Sequence, residues 1–484
     1  MPDLPVTPGA PSERDIAERR AIHARNTRRN VGWVYPELNW FRPEEAENAG
    51  EMRDGLVAAL VKKGVHLSAK GTKLSTGDLS PGCRRCGEGT WSCLKINSAC
   101  TSKCFFCPQD RAPDLNGNPV AAEVPFECPE TYIAYLGDLG FKGVGITGGE
   151  PALSLDTTLR FIEKIKDRFG SGIYVWLYSN GDAAAALSQL RSAGLDEIRF
   201  NIAGSHYDLR AVELARQRFD QVVVEVPAIP EDLERLKSSL APMQSAGVRH
   251  LNVHQLLATR YNYRALAARR YTFLHYPSDS PVPVFESEIA ALRLLEYAID
   301  NRAGPPVNYC SQVYKWRFQN AGARTRAAGL GAESYEEVTE PGYVRRVTIG
   351  LSNDDLAAAI GIFRERGVEE GLWIVDDERR ELSLRGSLLG LLHCGPCDLA
   401  IRYFEVHVGS HGGERSEASG GKEIEKKLVS LVRAQVRPEA LGAVLAGAGR
   451  PGAPVESPPT DLEAKLWDSL GPWERIEEGL GDVF

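Results

Sequence analysis

From Ser92 onward, short apolar runs recur at Ile173–Tyr178, Ile198–Ile202, Val222–Val226, Leu251–Leu256 and Val307–Tyr309. Amphipathic stretches with helical spacing lie between them, at Leu155–Arg168, Ala183–Ala193, Asp232–Ala246 and Glu286–Ile299. Cys93–Asn97 and Gly143–Thr147 read as two earlier buried strands. Strand-length apolar runs alternating with amphipathic helices are the pattern of consecutive parallel βα units. The expected core is therefore α/β, a partial (β/α)6 barrel over about Ser92 to Ser311, with Val307–Tyr309 as a candidate seventh strand.

The flanks read differently. Met1 to Glu13 is Pro-rich and is expected to lack order. Arg14 to Asn30 has helical composition, and Pro43 to Lys63 places Leu56, Ala59, Leu60 and Val61 on one side of a helix. After Ala328, Tyr343–Ile349, Asp354–Arg366, Leu372–Val375, Glu381–Leu384 and Leu399–Val408 read as strand, helix, hairpin and strand. Gly409 to Gly421 is a Gly/Ser-rich linker. Lys422–Val436 reads as a charged helix, Gly442 to Pro459 as a flexible segment, and Asp461–Leu470 as a helix with Leu462, Leu466 and Trp467 on one face. The chain is thus expected to divide into an N-terminal helical extension (1–80), the barrel (81–328), a C-terminal α+β accessory domain (329–409), and a linker with C-terminal helices (410–484).

Composition narrows the function classes. A length of 484 residues suits about two to four such units. The net charge of −8, without a lysine- or arginine-rich run, argues against a nucleic-acid partner. No stretch approaches the ~20 apolar residues of a membrane span, so no membrane partner is expected. The polar start of the chain lacks a signal peptide's apolar core. Ten cysteines without an export signal point to the cytoplasm, and to metal or redox use rather than disulfides.

The chemistry concentrates at Cys100-Thr-Ser-Lys-Cys104-Phe-Phe-Cys107, at the end of the first strand, where barrel active sites are built. Three thiolates can hold three irons of a [4Fe–4S] cube and leave the fourth open to a ligand. Phe106 is placed to shield that ligand from water. A structural zinc loop is the competing reading. The aromatic before the third cysteine and Thr147-Gly148-Gly149-Glu150-Pro151 at the next strand end weigh against it. There, two glycines allow close backbone approach to a ligand, and Glu150 offers a carboxylate to an ammonium group. Pro151 starts a helix.

Together these motifs resemble the radical S-adenosylmethionine (SAM) superfamily. The resemblance implies that Cys100, Cys104 and Cys107 bind the cluster, whose open iron is chelated by the amino and carboxylate groups of SAM. It implies that Gly148, Gly149, Glu150 and Pro151 meet the amino group. It also implies that later strand ends, including Asn180 and Asn201, meet the ribose, the carboxylate and the substrate. Asn180 reads equally as a helix cap. Glu225, His254 and Tyr207 are the candidate catalytic residues. Glu225 reads as a polar wall residue or as part of a solvated face. Alternation puts Asn252 and His254 on one strand face and Gln255 on the other. His254 there reads as an acid, a base or a substrate-orienting group, or as a hydrogen-bonded core histidine.

A second cysteine set, Cys83, Cys86 and Cys310, is a candidate auxiliary site for an iron–sulfur cluster or zinc. Cys93 is a candidate fourth ligand. Cys394-Gly-Pro-Cys397 is a further pair, read as metal-binding in preference to thioredoxin-like. Much of Pro81 to Ala328 also resembles a group described as related to pyruvate formate-lyase activating enzyme, from which this chain departs in its length and flanks. The radical SAM diol dehydratases of aminoglycoside pathways are similar in size and cysteine loop. These resemblances imply reductive cleavage of SAM and hydrogen abstraction from a small polar metabolite such as a sugar or aminoglycoside diol, with flavodoxin or ferredoxin as electron donor. A peptide- or protein-modifying enzyme is the alternative.

Overall fold

Seven parallel strands follow one another in chain order: β1 (Trp91–Lys95), β2 (Gly143–Thr147), β3 (Tyr174–Ser179), β4 (Glu197–Phe200), β5 (Gln221–Pro227), β6 (His250–His254) and β7 (Val307–Cys310). The expected six strands and the candidate seventh are all present. The computed structural model describes residues 35, 37–109, 117–274, 281–392, 394–410, 422–438, 441, 442, 445 and 469–480. The expectations for 1–30, for 411–421 and for most of 442–470 lie outside these residues. The chain forms two units, Met1–Trp316 with Glu478–Phe484, and Arg317–Glu477.

In the first unit, one face of the parallel array is apolar and fully buried, with Val144, Ile146, Val175, Leu177, Ile198 and Val224 in it. Helices cover it at Leu155–Phe169, Leu187–Ser192, Leu233–Ser245 and Phe285–Asn301. Leu155–Phe169 buries Thr158, Phe161, Ile162 and Ile165, the one-sided spacing of a helix on a sheet. Each large apolar side chain there contributes about 1.5–3 kcal/mol by burial. Both outer strands are paired. The hairpin of His66–Ser68 and Lys73–Ser75 continues β7, and Val120–Ala121 with Val124–Pro125 continues β1. This leaves no open edge beside the parallel strands.

The opposite face of the strands encloses a lumen. Trp176 fills its floor, and a Cβ at Gly145 would lie 2.9 Å from the Trp176 Nε1, so the adjacent strand needs glycine. Two helices precede β1: α1 (Pro43–Lys62) and α2 (Pro81–Gly87). Ser80 Oγ and Gly82 N donate to the Glu197 carboxylate at 3.1 and 3.2 Å, which seats α2 at the amino-terminal end of β4. The buried positions of α1 include Ala46, Ala49, Arg53 and Leu60, whereas Leu56, Ala59 and Val61 are only partly covered. Arg53, nearly inaccessible, donates to Leu480 O at 2.8 Å.

The second unit is α+β. Its antiparallel sheet has β8 (Val344–Gly350), β9 (Trp373–Asp376), β10 (Glu381–Leu384), β11 (Cys397–Ser410) and β12 (Lys422–Val436) in the order β9-β10-β8-β11-β12. The helix Asn353–Glu365 lays Leu356, Ala359 and Phe363 on the core formed with Ile349, Leu382 and Ile401. The charged helix expected at Lys422–Val436 is instead a strand. Its lysines and glutamates suit a helix locally, but Val429, Val432 and Ala434 rest against the sheet core, and β12 pairs along the whole of β11. Tertiary pairing overrides a weak local preference there. The second unit also begins before residue 329, because Ala328 of the helix Ala321–Gly331 is buried with Val344 and Val406.

Candidate active site

The cysteine loop springs from the carboxyl end of β1 and is tied to the next three strand ends. Ile96 N donates to Thr147 O at 2.8 Å, Gly149 N to Asn97 O at 3.0 Å, and Glu150 N to Ala99 O at 2.7 Å. A Cβ at Gly149 would sit 1.9 Å from Ala99 O. The close approach that this glycine permits is therefore to the stem of the cysteine loop, where the sequence suggested a ligand. Asn180 Nδ2 donates to Thr101 Oγ1 and Ser102 Oγ, both at 2.8 Å, and lies 3.8 Å from Cys100 Sγ. Its Oδ1 accepts from Asp182 N at 3.1 Å, so Asn180 both caps the next turn and clamps the loop. Cys104 Sγ lies 3.3 Å from where a Cβ on Gly204 would be, beside the turn that follows β4. Burial pushes the Cys100 thiol up, a backbone hydrogen bond at Ser102 opposes it, and Cys107 is near enough to add to the rise. Phe106 does not roof the loop. It is buried among Ile229, Leu256 and Ala258 and anchors the loop to the core.

Glu150 departs from the expectation that its carboxylate awaits an ammonium group. It is fully buried, and it accepts from Ala152 N at 3.2 Å, Ser179 Oγ at 3.0 Å and Asn180 N at 2.7 Å. It braces the ends of β2 and β3, and through Asn180 the cysteine loop. Burial pushes its carboxyl up to about 7 against those three donors. A carboxyl raised in the folded state holds its proton where the unfolded chain has lost it. Its contribution to stability is present below its ordinary value of 4.5 and is lost as pH rises through about 7. That loss is on the order of 3 kcal/mol. Denaturant melts at pH 5 and pH 7.5 should show a larger fall for the natural protein than for Glu150→Gln. Equal falls in both would exclude this account.

Asn201, just beyond β4, has its Oδ1 buried with no hydrogen-bond partner among the described residues. A buried acceptor in that condition fits a ligand that brings a hydroxyl or ammonium donor, as SAM does.

Within the lumen a chain of hydrogen bonds crosses four strands. Arg199 Nη1 donates to Glu225 Oε2 at 2.8 Å, Asn252 Nδ2 to the same oxygen at 3.1 Å, and Asn308 Nδ2 to Asn252 Oδ1 at 3.1 Å. Burial works to raise the Glu225 carboxyl, but Arg199, His254 and Asn252 hold it below its ordinary value. His254 lies beside Cys310 in register and is held down to about 4, chiefly by burial and then by Lys315, with Glu225 opposing. It is therefore a neutral imidazole at neutral pH. Gln255 turns to the other side, to Val284 O and Gln312 N, as alternation required. Cys93 is exposed, yet burial pushes its thiol up to about 12. Both hold for a group on a lumen wall that solvent reaches while protein surrounds it.

Tyr207 stands apart from this set. Its hydroxyl donates to Asp232 Oδ2 at 3.2 Å and its ring carries the Arg235 guanidinium at 4.7 Å. Arg199 is a lumen residue that the sequence reading missed, and Lys315 acts on His254 from beyond the end of β7. The signal for Arg199 was available, since Glu197 and Arg199 alternate with apolar residues in a buried strand. Cys83 and Cys86 lie on α2, with Cys83 Sγ 3.8 Å from Asn308 Nδ2, and Cys310 ends β7, whereas Cys394 and Cys397 hydrogen-bond to each other in the second unit. Among the described residues, no group of three or more His, Cys, Asp or Glu converges tightly enough to hold a single metal ion. Nor is any helix among them long and apolar enough to cross a membrane.

Comparison with known proteins agrees with this arrangement. The radical SAM superfamily signature matches residues 94–226, which contain the cysteine loop, Gly148–Pro151, Asn180, Asn201 and Glu225. A "Putative glycyl-radical enzyme activating enzyme" of Methanocaldococcus jannaschii is 28% identical over 60% of this chain and 79% of its own length. A GTP 3',8-cyclase of Xanthomonas axonopodis pv. citri is 35% identical over 22% of this chain and 31% of its own. Among solved structures, HydG, a maturase of the [FeFe]-hydrogenase, is 11% identical with a TM-score of 0.31, covering 66% of this chain and 78% of that one; so slight a likeness carries no argument. Residues 94–226 thus carry a radical SAM domain, and the cofactors of that superfamily are a [4Fe–4S] cluster and SAM.

Proposed function

We propose that Cys100, Cys104 and Cys107 hold the [4Fe–4S] cluster at the carboxyl end of the strands, and that the substrate is a small polar metabolite bound in the lumen. The observation that carries this reading is the wall of Arg199, Glu225, Asn252 and Asn308, which is hydrogen-bonded across four strands and joined by a neutral His254. A lumen built for an apolar substrate would not spend four buried polar side chains on its lining. Sugar and aminocyclitol diols present the hydroxyl and ammonium groups that an ionised Glu225 would accept from, and dehydration of such a diol is the reaction we favour.

When bound, the reduced cluster and SAM supply reductive cleavage of SAM and abstraction of a hydrogen atom from carbon. The chain's own residues do the rest. Asn180 and Glu150 hold the cysteine loop at fixed strand ends. Asn201 offers its free Oδ1 to a bound hydroxyl or ammonium. Glu225 orients the substrate. His254, carrying one ring proton, has a second ring nitrogen with which to take a proton from a substrate hydroxyl. Trp176, Arg199 and α2 close the lumen floor against water. Flavodoxin or ferredoxin is the expected electron donor, and a cluster with an open iron suits the reducing cytoplasm.

The test is reduced enzyme with SAM and a panel of polyols and aminocyclitols. His254→Phe and Glu225→Gln should still form 5′-deoxyadenosine without substrate. Product formation should fall about 10²-fold or more for His254→Phe. Full product formation by both variants would remove the lumen from the mechanism. The name of the Methanocaldococcus relative favours a second reading, installation of a radical on a protein glycine. A glycine-centred electron paramagnetic resonance (EPR) doublet on a partner protein, with no turnover of any small molecule, would establish it.

A further inference from the structure

Cys83 and Cys86 lie on α2, and Cys310 is the last residue of β7. The register of β7 with its neighbours puts Asn308 and Cys310 on the lumen side, beside Asn252 and His254. Cys83 reaches that side too, its Sγ 3.8 Å from Asn308 Nδ2, and Cys86 is on the same short helix.

The surroundings are not those of cysteines that merely fill space. A packing cysteine behaves as a small apolar residue and sits among apolar neighbours. Here Asn308 Nδ2 is 3.8 Å from Cys83 Sγ, and Lys73 Nζ is 3.7 Å from Cys310 Sγ. Lys73 is only 3% exposed, and its ammonium lies 4.0 Å from the centre of the Tyr314 ring. Among the described residues, no carboxylate pairs with it. Lys73 lies directly across the antiparallel ladder from Cys310, so the backbone fixes their approach. A buried ammonium without an anion is costly. The missing negative charge is what metal-bound thiolates at Cys83, Cys86 and Cys310 would bring.

We infer that Cys83, Cys86 and Cys310 hold an auxiliary iron–sulfur cluster, with Lys73 and Asn308 as its nearest donors to sulfur. A cluster fits better than a lone zinc. A single zinc needs four ligands drawn to one point, whereas three thiols from a helix and a strand suit a body with its own width. An iron–sulfur cluster keeps its sulfurs apart by its own width, and its potential responds to hydrogen bonds at those sulfurs. The cluster also fastens α2 to the end of β7. This inference does not depend on the assignment of Cys100, Cys104 and Cys107, and the following experiment keeps the two separate.

The full chain is prepared anaerobically and analysed for iron, sulfide and zinc, with Mössbauer and EPR spectra. Three proteins are compared: the natural chain, Cys100/Cys104/Cys107→Ala and Cys83/Cys86/Cys310→Ala. The first triple variant is expected to retain an iron–sulfur cluster that SAM does not perturb. The second is expected to lose that cluster and keep the SAM-responsive one. Lys73→Gln, which leaves every sulfur in place, is expected to keep all the iron and to lower the reduction potential of the auxiliary cluster. That variant keeps the inference open to test if the second triple variant does not fold. Zinc in place of iron in the first triple variant, absence of any metal from it, or an unchanged potential in Lys73→Gln overturns the inference.

Discussion

Cys100/Cys104/Cys107→Ala is expected to form no 5′-deoxyadenosine above the uncatalysed background. The three thiols occupy a loop whose position is set from outside, through Asn180 and the contacts of Gly149 and Glu150 with Asn97 to Ala99. Removing sulfur leaves those contacts in place, because none of them uses a cysteine side chain as its main partner. The variant should therefore fold, with melting close to that of cluster-free natural protein, while losing the whole of the SAM chemistry. Retained SAM cleavage would place the cluster elsewhere, and the auxiliary thiols would become its first alternative site.

Gly149→Ala is expected to be the most damaging single substitution at the site. Its Cβ would lie 1.9 Å from Ala99 O and 2.7 Å from Ser98 O, both backbone atoms that cannot swing aside. Overpacking against side chains costs about 1–3 kcal/mol, and backbone has less room to yield. The loop stem must move, and with it Cys100. Thermal melts and SAM cleavage should both fall. Gly55→Ala is the control: it lies inside α1 with nothing within 4 Å of the added carbon, and should stabilise by about 0.5–1 kcal/mol. Equal effects at the two positions would show that the contact with Ala99 does not matter.

The parallel strands were legible because each is a dense apolar run whose buried face has no competing reading. Asn97, Gly149 and Glu150 show the limit of the same reasoning. A motif marks residues that must lie close to something, but not which partner. The glycine proved to face the loop stem, and the carboxylate the interior. Lys422–Val436 was misread because its charges dominate composition while its stability comes from β11, a partner no local pattern reveals. The gathering of Cys83, Cys86 and Cys310 could be raised as a question from sequence. Only the register of β7 and the position of α2 place Cys310 by Lys73 and Cys83 by Asn308, and the pairing of Lys73 with Cys310 across a ladder left no trace in spacing. Arg199 was visible as a charged residue in an apolar strand and was passed over, although it organises the lumen wall.

The most direct test of the account is the EPR spectrum of the reduced protein with and without SAM. Cys83/Cys86/Cys310→Ala is the cleanest sample, since only the site at Cys100, Cys104 and Cys107 remains in it. The account predicts a [4Fe–4S] signal whose shape changes when SAM is added, because SAM takes the iron that has no protein ligand. A cluster signal identical in the presence and absence of saturating SAM would contradict it.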